Sequence, residues 1–235
     1  MDRQNYQKVS GVQDQIDLIR DKDIFLFDLD GTVIDSSKDI AVAVNYTLEK
    51  LGKDPLEESE IIKHVGYGGR RLMEGVLKKD DHLLIDRAVS IFREYYFKNP
   101  AEYTVLYPYV EDLFIELKRK DKKIGIVTNK YEDISRRIIE KLGVDRYLDI
   151  LLGGDSVERK KPDPYPVLYA VEKLGSKPEK SVMIGDSEAD IQAGRSAGLT
   201  TVFVTYGFGK EEKVIVHNPD FVIGDISQLL DLFSG

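Results

Sequence analysis

Beyond Tyr107 short apolar runs alternate with longer helical patterns, and few architectures accept that texture. Val110, Leu113, Phe114 and Leu117 share one helical face, and Lys123-Ile-Gly-Ile-Val127 follows as a short buried strand. Ile134, Ile138, Ile139 and Leu142 mark a second helix, Asp149-Ile-Leu-Leu152 a strand, and a helix runs from about Tyr165 to Leu174. Ser181-Val-Met-Ile184 and Thr201-Val-Phe-Val204 continue the series, with Ala189, Ala193 and Ala197 on the helix between them. Phe221-Val-Ile223 and a helix from Ile226 to Phe233 close it, while Ile24-Phe25-Leu26-Phe27 supplies an earlier strand. Strands separated by such helical patterns predict the α/β class: a Rossmann-like parallel sheet with helices on both faces.

A different texture separates the first strand from the rest. From Ser36 to about Ala101 the pattern is helical throughout. Ile40, Val44, Leu48 and Leu51 form one amphipathic stripe, and Leu84, Ala88, Ile91 and Tyr95 form another, ended by Asn99-Pro100. The predicted organisation is an N-terminal extension over residues 1–22, an α/β core over 23–35 and 102–235, and an all-helical insertion over 36–101. Val12, Ile16 and Ile19 give the extension one possible helix, read as a packing or solubilising segment.

Composition excludes some partners. The net charge of −8 disfavours nucleic acid and anionic membrane surfaces. An anionic substrate would need a local positive site within that field. There are no cysteines, which removes disulfides and thiolate metal sites. The N-terminus lacks the apolar stretch of a signal peptide, and no apolar run is long enough to span a bilayer, so a cytoplasmic location is expected. Nothing identifies an exposed apolar patch, which leaves the oligomeric state open.

Ligands of open parallel sheets bind beyond the carboxyl ends of the strands. The first strand ends in Asp28 and Asp30, which as residues i and i+2 share a face. Two carboxylates that close repel each other unless a cation or a shared proton compensates, which points to a metal, an acid/base role, or both. The next strand ends in Thr128-Asn129, a third runs into Lys160-Lys161-Pro162, and a fourth ends in Gly185-Asp186-Ser187 with Asp190 shortly after.

In that order these segments resemble the haloacid dehalogenase-like superfamily, in its phosphatase branch. Asp28-Leu-Asp-Gly-Thr32 matches the first family motif, Thr128 the second, Lys161 before Pro162 the third, and Gly185 to Asp190 the fourth. The insertion from Ser36 is similar to the helical cap of the family, and Thr205-Tyr206-Gly207 resembles its phosphoglycolate phosphatase-like branch. The resemblance implies catalysis by Asp28 as nucleophile, through an aspartyl-phosphate, and by Asp30 as acid and then base. It implies Mg²⁺ held by Asp28, Asp186 and the backbone carbonyl of Asp30, with Asp190 supporting the metal site or the lysine. Thr128, Asn129 and Lys161 would bind phosphate.

Asp35, Asp155 and Asp163 are read instead as turn formers or helix caps. His64, His82 and His217 show no metal-ligand spacing. Gly66-Tyr67-Gly68-Gly69-Arg70-Arg71 lacks the preceding strand of a dinucleotide site. It resembles a cap loop that closes over the active site, with Tyr67 where asparagine is usual, and Arg70 is a candidate clamp for a substrate carboxylate. The expected function is Mg²⁺-dependent hydrolysis of a small phosphorylated metabolite, phosphoglycolate first. A phosphomutase, a pyrophosphatase and a non-catalytic binding protein on the same scaffold are the alternatives.

Overall fold

The structure, a computed structural model, describes residues 18–78 and 81–233. Val12 and Ile16 lie outside the described residues, whereas Ile19 is buried in the core.

Six parallel strands form the main sheet: Ile24–Phe27 (β1), Lys123–Val127 (β4), Ile150–Leu152 (β5), Ser181–Gly185 (β6), Thr200–Val204 (β7) and Phe221–Ile223 (β8). Their order is β5-β4-β1-β6-β7-β8, so the first strand of the chain lies inside the sheet, between β4 and β6. Ile24 sits level with Lys123 on one side and Ser181 on the other. A strand covered on both faces reads as a continuous apolar run, and all four residues of β1 are buried.

Alternation divides those residues between two layers. Phe25 and Phe27 join Val110, Leu113, Phe114 and Leu117 of helix Val110–Arg119 (α5) and Ile134, Ile138 and Ile139 of helix Glu132–Leu142 (α6). Ile24 and Leu26 face the opposite layer, packing with Val167, Ala170 and Val171 of helix Tyr165–Lys173 (α7) and Ala193 of helix Glu188–Ser196 (α8). The fold is therefore the parallel sheet with helices on both faces that the alternation predicts. Two short helices, Glu211–Val214 (α9) and Ser227–Leu230 (α10), complete the C-terminal part. The last is shorter than expected and gives way to turn at Asp231.

Four helices stand between Asp35 and Val105: Ser37–Lys50 (α1), Glu58–Ile62 (α2), Gly69–Leu77 (α3) and His82–Lys98 (α4). A ribbon that the sequence did not announce joins them to the core. Ile34–Asp35 (β2) pairs antiparallel with Val105–Leu106 (β3), so the outgoing and returning chains run side by side. Asp39, buried at the start of α1, tightens the junction by accepting from the backbone N–H groups of Tyr103 (2.9 Å) and Thr104 (2.7 Å) and the Thr104 hydroxyl (2.6 Å). The inner stripe of α4 is one residue out of phase with the expected one. Ile85, Ala88, Phe92 and Tyr96 are buried, while Leu84, Ile91 and Tyr95 are only partly covered. Both stripes have helical spacing, and only the packing against α1 and α3 selects between them.

Candidate active site

The carboxyl ends of β1, β4 and β6 meet on one edge of the sheet, and the polar residues there converge. Asp28, Thr128, Asn129, Lys161, Asp186 and Asp190 are all buried. The Asp28 amide bonds to Ile184 O (2.9 Å), which continues the β1–β6 pairing into the loop and fixes the start of Asp28 relative to Asp186. Carboxylate oxygens of Asp28, Asp186 and Asp190 lie within 4.8 Å of one another.

Lys161 stands among these acids. Its Nζ donates to Asp190 Oδ1 at 2.6 Å and lies 3.0 Å from Asp28 Oδ1. The second contact is an ion pair without an aligned hydrogen bond, because Asp28 Oδ1 is buried with no hydrogen-bond partner among the described residues. Burial works to lower the lysine, but Asp190 and Asp28 outweigh it and hold the ammonium above its ordinary value.

Asp190 is engaged through both oxygens. Its Oδ2 accepts from the Ser187 amide (2.9 Å) and hydroxyl (2.6 Å), a capping box that starts α8. Its Oδ1, bonded to the ammonium, aims Lys161. Asp186 is held by Thr32 Oγ1 (3.2 Å) on Oδ1, and by the backbone N–H groups of Phe208 (2.7 Å) and Gly209 (3.0 Å) on Oδ2. Gly31, at φ +81°, passes directly in front of it, where a Cβ would collide with the carboxylate.

Burial pushes the Asp28 carboxyl up to about 7, reinforced by the Asp190 charge and opposed by Lys161. Burial, then Asp190 and Asp28, push Asp186 up to about 8. Two such carboxyls, all-oxygen donors, an orphaned Oδ1 and a glycine-lined approach suit a hard divalent cation.

Asp30 lies just outside this cluster, and its carboxylate has its own partners. Lys130 Nζ donates to Oδ1 (2.8 Å) and Oδ2 (3.1 Å), and the Ser36 hydroxyl also donates to Oδ1. Burial works to lower Lys130, but the Asp30 charge holds it above its ordinary value. Thr128 Oγ1 accepts from the Lys130 amide (3.3 Å), which leaves its proton free for an incoming oxygen. Asn129 lines the site but spends its side-chain amide on two carbonyls, Gly66 (2.8 Å) and Lys161 (2.9 Å). It ties the loop of the insertion to the lysine loop.

Arg70 is not brought to the site. Its guanidinium is half exposed on α3, paired with Asp86 and, at 3.8 Å, with Glu74. Its neighbour in the loop, Tyr67, instead reaches the core, donating to Glu188 Oε2 at 3.0 Å. Asp35, Asp155 and Asp163 each accept from a backbone amide, of Ser37, Glu132 and Tyr165 respectively, as turn and cap residues do.

Two groups that line the adjoining cavity, Lys130 and Tyr96, were given no role by the sequence. Lys130 directly follows Thr128-Asn129 beyond the same strand, and that adjacency is the signal that would find it. Tyr96 was hidden by the phase of its helix.

The chain has relatives among known proteins. Residues 25–204 match the family described as haloacid dehalogenase-like hydrolase. A phosphoglycolate phosphatase of Aquifex aeolicus is 41% identical over 209 residues, spanning 89% of this chain and 95% of the relative. One of Colwellia psychrerythraea is 36% identical over 219 residues, spanning 90% and 97%. The crystal structure of a predicted phosphoglycolate phosphatase from Haemophilus somnus superposes with a TM-score of 0.85 at 28% identity, covering 90% of this chain and 98% of the other. With the motif residues gathered at one sheet edge and the family match spanning most of its length, the chain belongs to the haloacid dehalogenase-like hydrolases.

Proposed function

We propose that this chain is a Mg²⁺-dependent phosphatase that hydrolyses a small phosphorylated acid, phosphoglycolate first, through an aspartyl-phosphate. The observation that carries this reading is the Asp28 carboxylate. It is buried at the end of an interior strand, faces Lys161, and keeps one oxygen without a hydrogen bond. A carboxylate so placed is a nucleophile in waiting. The relatives' names support the substrate.

In the first half-reaction an Asp28 oxygen forms a bond to phosphorus while the ester P–O bond breaks. Asp30 gives its proton to the departing oxygen. In the second, Asp30 takes a proton from water, the water oxygen attacks phosphorus, and the bond to Asp28 breaks. Ser36 and Lys130 hold the Asp30 carboxylate still through both transfers. Thr128 donates to a phosphoryl oxygen, and Lys161, aimed by Asp190, offsets charge beside the nucleophile. When bound between Asp28, Asp186 and the Asp30 carbonyl, Mg²⁺ would offset the repulsion between an anionic phosphate and the attacking carboxylate.

The four-helix insertion serves as the cap in this reading. Its loop touches the core through Tyr67–Glu188 and Gly66–Asn129, and Arg93 of α4 pairs with Asp133 of α6 (3.0 Å). Closure of that kind excludes water other than the lytic one. Among the described residues no helix is long and apolar enough to cross a membrane. A cytoplasmic location goes with the reading and is checked by fractionation.

The test is phosphate release from a panel of small phosphate esters and pyrophosphate, with Mg²⁺ or chelator, in the wild type and in Asp28→Asn. Chelator-sensitive release that the variant lacks is expected. Release that survives in folded Asp28→Asn would overturn the mechanism.

A further inference from the structure

A cavity of about 50 Å³ opens beside Asp28 and Asp30, under the helical insertion. Its walls are largely carbon, from Ile40, Val65, Leu72, Phe92 and Ile134. Pockets for drug-sized ligands run to roughly 300–1,000 Å³, so this space holds a few heavy atoms and no sugar ring. Away from the phosphate site, the polar residues of the lining are Asn129, whose amide is spent on two carbonyls, Tyr131, which is partly exposed, and Lys130 and Tyr96, whose polar ends are buried. Lys130 is the only basic side chain that lines the cavity among the described residues.

Both groups are buried, and both have capacity left. Tyr96 is 1% exposed, and its hydroxyl, which feels the Lys130 ammonium, makes no aligned hydrogen bond among the described residues. Buried polar groups are paired in nearly all native structures, and an orphan calls for an explanation such as a ligand that has yet to arrive. Lys130 Nζ lies 4.3 Å from the centre of the Tyr96 ring, so the ammonium borders the same space. Its hydrogen bonds go to the two oxygens of Asp30, and its remaining donor lies toward Tyr96 and the cavity.

We propose that Lys130 and Tyr96 together bind the carboxylate of a short phosphorylated acid and thereby set substrate choice; this rests on the phosphatase reading above. Two donors, one of them charged, match the two oxygens of a carboxylate. A cationic group would be repelled by Lys130, and an alkyl group would leave both donors unpaired in a closed space. Lys130 also stands between the incoming carboxylate and Asp30, so one cation offsets both anions. Arg70 cannot take this role from where it lies, outside the cavity and paired within the insertion. The small volume restricts the acid to about one or two carbons between its phosphate and carboxylate ends.

The experiment compares kcat/KM for phosphoglycolate and for ethyl phosphate. Both have two carbons and both need a proton on the leaving oxygen, but only the first has a carboxylate. Any disturbance of Asp30 therefore falls on both substrates, and the ratio isolates recognition. The wild type is expected to prefer phosphoglycolate, and Lys130→Met to cut that preference by about 10- to 150-fold, the range for a hydrogen bond to a charged group. Lys130→Arg should restore part of it. Tyr96→Phe should cut it by about 2- to 10-fold, chiefly through KM.

Equal losses on both esters in folded Lys130→Met would show that the lysine serves Asp30 alone and overturn the proposal. If circular dichroism shows that this variant does not fold, an unchanged preference in Tyr96→Phe overturns it. A wild type that releases phosphate in an Asp28-dependent way without preferring the acid overturns the carboxylate assignment and leaves the phosphatase reading standing. Release from neither ester nor from p-nitrophenyl phosphate overturns both.

Discussion

Mg²⁺ binding should depend steeply on pH, because the two carboxyls proposed to hold the ion are also the two whose protons burial retains to higher pH. Asp28 is pushed up to about 7 and Asp186 to about 8, and each must lose its proton before it can serve as a ligand. At pH 6 the ionised fractions are roughly 0.09 and 0.01, and at pH 8 roughly 0.9 and 0.5, so the product rises by roughly 500-fold. The two sites titrate as a pair, and water entering with the ion relieves part of the burial, so the expected gain in apparent affinity lies between about 10- and 500-fold.

The sign for stability follows from the same shifts. Both folded values lie above the unfolded value, so the native state binds the extra protons. Metal-free stability therefore falls as pH rises from about 4 to 8. Saturating Mg²⁺ should raise the melting temperature at pH 8 and hardly at pH 6. Isothermal titration in two buffers of different ionisation enthalpy measures both the affinity and the protons released. An affinity that is flat between pH 6 and 8, with no proton release, would refute the reasoning. Asp190→Asn removes the charge that follows burial among the causes and should move the profile to lower pH.

Other consequences are as direct. Asp28→Asn should lower turnover by more than about 10³-fold with an unchanged circular dichroism spectrum, because on the proposed mechanism it removes the attacking carboxylate and keeps the side chain's shape. Asp190→Ala leaves buried Lys161 with one partner and removes the cap of α8, and loss of such a pair costs about 3–5 kcal/mol. A thermal melt should register this as a drop of roughly 6–20 °C. Gly31→Ala should abolish Mg²⁺-dependent stabilisation in the same melt, because its Cβ would displace the Asp186 carboxylate from a backbone that already has φ +81°. Tyr67→Phe removes one half-exposed contact between insertion and core, and kcat should change by less than about 5-fold.

The sheet was legible in the sequence because burial on both faces leaves a strong mark. Ile24–Phe27 and Ser181–Gly185 have nothing but apolar or small residues to show. The acids and the lysine were legible because chain order placed them beyond strands, where any open parallel sheet must gather them. What the sequence left open depends on packing between distant segments. Helix α4 carries apolar residues on two adjacent stripes, and only its seating against α1 and α3 decides that Phe92 and Tyr96 face inward. Arg70 looks the same in sequence whether it clamps a ligand or pairs with Asp86, and a partner sixteen positions on decides it. Ribbon β2–β3 is two residues long on each side, too short for any periodicity.

That ribbon has a consequence for how such a molecule can change. Adjacent strands lie roughly 5 Å apart, so the chain leaves and re-enters the sheet layer at nearly one point. Whatever is carried beyond Asp35 and Val105 hangs from a single stem, and its size and shape place no demand on the spacing of β1 and β4. Asp39 locks the stem from the insertion's side, so a transplanted insertion would bring its own fastening. A graft cut at 35 and 105 is therefore the natural unit for redesign, and it would exchange Tyr96 while leaving Lys130 in place.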